Sequence, residues 1–113
     1  MPSRTPRYGI VAGRFNRPIT ESLVYGALEA FKAARIPAAR VNVIWVAGAF
    51  ELSTAAFKLA SSGRYRAVVA VGCILEGETP HYAYLSKTTM TGLTIAGVLT
   101  GVPVTCGVIT AKD

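Results

Sequence analysis

Charge is scarce in this sequence: of 113 residues only 16% are Asp, Glu, Lys or Arg, while 51% are apolar. A lone small domain needs charge over most of its surface, so the apolar excess points to self-association. Cysteine is nearly absent. Cys73 and Cys106 are the only two, and neither falls in a CxxC or metal-type spacing, which excludes a disulfide scaffold and a zinc ribbon. Both lie in strand-like apolar runs and are expected as buried thiols. Long uninterrupted apolar runs are missing too. None reaches the roughly 18 residues a membrane helix needs. The basic start MPSRTPR is not followed by an apolar segment with a small-residue cleavage site, so a cytoplasmic location is expected. Acidic residues number six against twelve Lys and Arg, a net charge of +6. The basic residues stand as singles and pairs with no stripe interleaved with aromatics. That gives nucleic-acid binding little support, while a general attraction for phosphorylated small molecules fits.

What is present alternates regularly. A chain this long is a single domain, residues 1–113, with no repeat or linker to divide it. Residues 8–12 (YGIVA), 41–46 (VNVIWV), 66–75 (RAVVAVGCIL) and 104–110 (VTCGVIT) read as buried strands. Residues 20–34, 50–60 and 82–99 read as helices. Thr20 stands in an N-cap position, and Pro37 closes the first helical segment. Strand–helix alternation predicts an α/β fold with a four-stranded parallel sheet, right-handed crossovers and helices on both faces. In such sheets ligands collect at the carboxyl ends of the strands, where the following loops fall.

Gly13-Arg14-Phe15-Asn16 places an aromatic just past the first strand, able to face a flat heterocycle. An isolated Phe is more often core, but its polar neighbours favour a loop. In Ala47-Gly48-Ala49-Phe50-Glu51 the small residues let a ligand approach the backbone. Glu51 either complements the helix dipole, the simpler reading, or accepts hydrogen bonds from sugar-like hydroxyls. Gly77-Glu78-Thr79-Pro80-His81 is the most informative loop. Pro80 suits a first helical turn, and free amides there bind phosphate. His81, the only histidine, stands beside that cradle as an acid–base group. Cys106, in the fourth strand, reads as core on its own residues.

Taken together the segments GIVAGRFN, VIWVAGAFEL, AVVAVGCILEGETPHYAY, Gly92-Leu93 and PVTCGVIT resemble the lumazine synthase family, in order and spacing, across nearly the whole chain. The resemblance implies a flavodoxin-like three-layer sandwich. It implies a transferase of riboflavin biosynthesis that joins 5-amino-6-(D-ribitylamino)uracil to 3,4-dihydroxy-2-butanone 4-phosphate. Schiff-base formation, phosphate loss and ring closure give 6,7-dimethyl-8-ribityllumazine, without metal or organic cofactor. Carried over by position, Phe15 stacks on the uracil ring, with Asn16 beside it. Ala49, Phe50 and Glu51 meet the ribityl chain. Cys73, Ile74 and Leu75 hold the pyrimidine edge, and Glu78 and Thr79 bind the phosphate. His81 matches the proton-transfer residue. Cys106 matches a position, often aromatic, that reaches into the next subunit's site. The family's pockets lie between subunits of a pentamer, sometimes assembled into larger shells.

Four positions depart from that pattern. Ala47 and Ser53 stand where prolines usually flank the GAFEL turn, Glu76 replaces a commonly basic residue, and Ala83 replaces a frequent acidic one. The family also continues past GVIT into two further helices carrying a phosphate-binding arginine, so the resemblance implies a C-terminally short domain. The competing expectation is a catalytically weak relative that binds ribityl-pyrimidines or flavins, or a self-assembling scaffold. A flavodoxin-type flavin protein ranks last, because GRFNRP lacks the Ser/Thr-rich phosphate loop that fold uses.

Overall fold

The computed structural model describes residues 5–77 and 81–112. Within them the order is β1 (Arg7–Gly13), α1 (Arg17–Ala33), β2 (Val41–Val46), α2 (Leu52–Ser61), β3 (Tyr65–Glu76), α3 (His81–Thr100) and β4 (Val104–Lys112), with short 3-10 turns at Ala38–Arg40 and Ala49–Glu51. The four strands form one sheet in the order β2-β1-β3-β4, every pairing parallel. The expected α/β fold, a three-layer sandwich of the flavodoxin-like kind, is what forms.

The apolar runs form strands because two layers of helix cover them. On one face Val11, Val68, Ala70, Ile74 and Val108 pack against Leu52, Ala56, Ala60 and Leu93 of α2 and α3. On the other face Ile10, Ala12 and Val71 pack against Val24 of α1, with Leu28, Phe31 and Trp45 around them. β3 is interior and supplies side chains to both layers, which explains its nearly continuous apolar sequence. The layers are close. A Cβ on Gly92 of α3 would lie 2.6 Å from Ser53 Cβ of α2, so the two helices cross where only glycine fits.

Element ends differ from the sequence pattern for local reasons. β2 falls where expected. α1 begins at Arg17, three residues early, because Pro18 in its first turn is preorganised for a helix. Asn16, with a left-handed backbone (φ 54), stands at the cap without a side-chain bond. Thr20 is therefore not the N-cap. It is fully buried, and its hydroxyl donates to the Phe15 carbonyl at 3.4 Å. α1 closes in a Schellman motif, with Ile36 N–H donating to Phe31 O (3.0 Å) and Arg35 N–H to Lys32 O (2.9 Å). Arg35 takes the left-handed position (φ 64) that glycine usually fills. α3 ends on Gly101 (φ 71), whose N–H donates to Gly97 O at 2.9 Å.

Cys73 is buried as expected, but Cys106 is exposed. β4 is an edge strand with β3 as its one neighbour, less covered than the interior β3 that holds Cys73.

Candidate active site

Parallel strands deliver their following loops to one edge of the sheet, and in this chain the first two loops are tied together. Past the end of β1, Arg14 N–H donates to Val46 O (2.8 Å) and Phe15 N–H to Ala47 O (3.2 Å). The β1–β2 ladder thus runs on into the loops. The backbones approach closely enough that a Cβ on Gly13 would sit 3.3 Å from the Gly48 carbonyl carbon. Glycine at 13 and 48 permits that approach. The chain then turns through Ala49–Glu51, where Glu51 N–H donates to Gly48 O at 3.1 Å. Phe15 and Glu51 flank Gly48: a Cβ there would lie 3.9 Å from Phe15 Cβ and 3.7 Å from Glu51 Oε1.

These loops, the end of β3 and the first turns of α3 enclose a predominantly apolar cleft of about 660 Å³. That volume suits a ligand the size of a substituted heterocycle. Phe15 and Phe50 stand 53% and 68% exposed at its edge, leaving aromatic surface open to a ligand. Glu51 is half-buried. Cys73, Ile74 and Leu75 form the β3 wall, and His81 stands on the opposite wall at the start of α3. One further bond anchors α3 to the turn: the buried Thr89 hydroxyl donates to Ala49 O at 3.4 Å.

Of the expected site residues, Phe15, Ala49, Phe50, Glu51, Cys73, Ile74, Leu75 and His81 all line this one cleft. Glu78 and Thr79 lie outside the described residues. Asn16 is adjacent without lining the cleft. Its side-chain amide donates to Cys73 Sγ at 3.8 Å, tying the start of α1 to β3. Cys106 is not brought to the cleft of its own chain, since it pairs with Ala70, well below the carboxyl end of β3.

Four lining residues escaped the sequence reading: Tyr82, Tyr84, Leu85 and Thr88. A signal for them existed. Tyr84, Leu85 and Thr88 follow His81 at three, four and seven residues, the spacing that puts side chains on one face of a helix. Arg17 was missed as well. Its guanidinium lies 4.7 Å from the centre of the Trp45 ring and pairs with Glu21 at 2.7 Å, bracing the start of α1 against the end of β2. Among the described residues no cluster of His, Cys, Asp and Glu could hold a metal ion, and no helix is long and apolar enough to cross a membrane.

A parallel α/β sheet carries at its carboxyl edge an apolar cleft lined by four aromatics (Phe15, Phe50, Tyr82 and Tyr84), one carboxylate and one histidine, the place and the kind of cleft in which such sheets take small molecules. The family model of 6,7-dimethyl-8-ribityllumazine synthase matches residues 5–113. The chain is also 37% identical over 107 residues to the 6,7-dimethyl-8-ribityllumazine synthase, chloroplastic, of Arabidopsis thaliana, a match covering 95% of this chain and 47% of that relative. This chain belongs to the 6,7-dimethyl-8-ribityllumazine synthase family. It spans about half the length of that relative.

Proposed function

We propose that the chain catalyses the condensation of 5-amino-6-(D-ribitylamino)uracil with 3,4-dihydroxy-2-butanone 4-phosphate to 6,7-dimethyl-8-ribityllumazine. The observation that carries this reading is the convergence of Phe15, Glu51 and His81 on one cleft at the carboxyl ends of β1, β2 and β3. The Phe15 ring offers an apolar face to the pyrimidine, and the half-buried Glu51 carboxylate accepts hydrogen bonds from ribityl hydroxyls. His81 exchanges the protons that carbinolamine dehydration and ring closure require. Glu78 and Thr79 are assigned to the phosphate by family resemblance, and Asn16 holds the Phe15 loop against β3. The cleft needs no metal or organic cofactor for this chemistry, since Schiff-base formation and phosphate loss run on proton transfer and positioning alone.

Assembly into a pentamer or a multiple of it belongs to the same reading. It is supported by Val98 and Leu99 of α3, 76% and 69% exposed, an arrangement that favours burial against other copies. Cys106, exposed on an edge strand, is free to meet a neighbouring copy's cleft. The sequence features support a cytoplasmic location, whereas the Arabidopsis relative is named as chloroplastic.

The test is product formation from the two substrates, followed by lumazine fluorescence, with His81→Ala alongside. Loss of the proton-transfer group lowers kcat by roughly 10²–10⁴-fold and leaves pyrimidine affinity nearly intact. A folded, assembled protein with no rate above buffer refutes the enzymatic reading. It would favour a binding or scaffold protein, a role that Glu76, a carboxylate at the end of β3 near the phosphate loop, would suit better than catalysis.

A further inference from the structure

The basic residues, isolated along the sequence, are gathered in space. Helices that follow parallel strands return to the strands' amino ends, so the edge of the sheet opposite the cleft collects helix carboxyl ends and strand starts. Arg7 opens β1, Arg40 immediately precedes β2, and Arg64 and Arg66 flank the start of β3. They are close together: Arg7 N–H donates to Arg64 O at 3.1 Å, and its guanidinium donates to Ala39 O at 3.3 Å, beside Arg40. Lys32 and Arg35 at the end of α1 and Lys58 near the end of α2 complete the pole. All of these side chains are exposed, and among the described residues the one ion pair, Arg17–Glu21, lies elsewhere. Glu29 is the single carboxylate in these segments. Lys32 and Lys58 complement helix dipoles. Arg40 ends a 3-10 turn and Arg7 also donates to Asn42 Oδ1 at 3.4 Å, whereas Arg64 and Arg66 flank the start of a strand, where no helix dipole accounts for them.

A second cleft opens on this pole, about 530 Å³ in volume, with Leu28, Phe31, Ile36 and Val41 as apolar wall and Lys32, Arg35 and one carboxylate, Glu29, also lining it. Phe31 is half-buried, its ring 5.3 Å from that of Tyr8. Arg35 holds a left-handed backbone there that glycine would adopt without strain. An apolar slot with an aromatic, set in a field of guanidinium groups, matches the two needs of an unpaired nucleotide: stacking for the base and bidentate donors for the phosphate. An acidic peptide uses the charge but leaves the slot unfilled, and a duplex keeps its bases inside the stack.

We propose that this pole docks the phosphodiester backbone of single-stranded nucleic acid, with one unstacked base in the cleft beside Phe31. The site is independent of the lumazine-forming cleft, which lies at the other edge of the sheet, and lumazine formation does not report on it.

The experiment is fluorescence anisotropy with a labelled oligothymidylate of about 20 nucleotides, whose length exceeds the few nucleotides one such site spans. Salt is varied from about 50 to about 200 mM, and a duplex and a polyglutamate of equal charge serve as competitors. Neutralising about four phosphates gives a log–log slope of about −2.8, a roughly 50-fold loss of affinity over that range. The Arg64→Glu/Arg66→Glu variant should lower affinity steeply and halve the slope. Lys87→Glu/Lys112→Glu, with the same change in net charge away from the pole, should retain the slope. Arg35→Gly, which keeps the turn and removes the guanidinium, should weaken binding without unfolding risk. Absence of binding at the lowest salt overturns the proposal. So does equal competition by polyglutamate or duplex, or equal weakening by the two double variants.

Discussion

Gly92→Ala is the most exacting test of the crossing between α2 and α3, the helix whose first turns wall the cleft. The added methyl would meet Ser53 at 2.6 Å (Cβ) and 2.7 Å (Oγ), far inside contact distance, and Ser53 sits in the first turn of α2 where no side-chain swing moves its Cβ. Overpacking of this kind costs roughly 1–3 kcal/mol. Against it stands the helix-propensity gain of alanine over glycine in mid-helix, about 1 kcal/mol. The two opposing terms leave a net loss of up to about 2 kcal/mol. Ser53→Gly removes both atoms in the way, so the double variant Ser53→Gly/Gly92→Ala should be more stable than the sum of the single changes predicts. The coupling should be of order 1–3 kcal/mol and favourable. The assay is urea unfolding at one fixed protein concentration, because the proposed assembly would link stability to concentration. An unchanged m-value with a lowered midpoint confirms a stability change in the folded state. A Gly92→Ala protein at least as stable as the parent, or a strictly additive double variant, refutes the steric argument. The same displacement moves Thr89 and Leu85, so a destabilised variant should also bind pyrimidine more weakly.

Phe15→Ala should weaken binding of a ribityl-pyrimidine by about 0.5–1.5 kcal/mol of stacking, about 2- to 13-fold, with little effect on unfolding because the ring is already 53% exposed. Titration calorimetry against the unfolding midpoint separates the two. Thr89→Val deletes the side-chain donor to Ala49 O, a carbonyl that keeps the Leu52 N–H. A stability loss of about 0.5–1.5 kcal/mol is expected for the one bond, and an unchanged midpoint in denaturant would show that the bond carries nothing. Arg17→Ala removes the cation over Trp45 and an exposed ion pair. It should cost about 0.5–1 kcal/mol and shift the emission of the protein's single tryptophan, a direct spectroscopic check.

The strands were legible because each is a short apolar run bounded by Gly, Pro or charge, and β2 could be placed to the residue. Helix starts were less so. Thr20 looks like a cap because it is a hydroxyl before an apolar periodicity, yet the chain starts the helix on Arg17 and buries Thr20 under Phe15 O. Backbone conformation at Asn16 decides that, and no residue pattern announces it. The cleft was legible at Phe15 and His81, since loops after parallel strands must share an edge, and at Glu51 only through the family resemblance, its residues alone favouring a helix-dipole role. The α3 face that completes the cleft was legible in principle from the spacing after His81. Cys106 misled in the other direction: an apolar strand reads as buried, but sheet order, fixed only in three dimensions, put it on an edge. The basic pole was invisible for the same reason. Arg7, Arg40 and Arg64 are far apart in the chain and become neighbours only through the β1–β2 and β1–β3 register.

The sheet order has a consequence for how the molecule comes into being. Among the described residues, those lining the main cleft lie between Phe15 and Thr88, and β4 joins the sheet through β3 alone. On a ribosome, where the amino-terminal part folds first, β1, β2 and β3 can pair and the first half of α3 can seat on Ala49 before β4 has left the exit tunnel. β4 then docks as a buttress onto β3, and the cleft walls are older, in the life of each molecule, than the sheet edge that β4 makes.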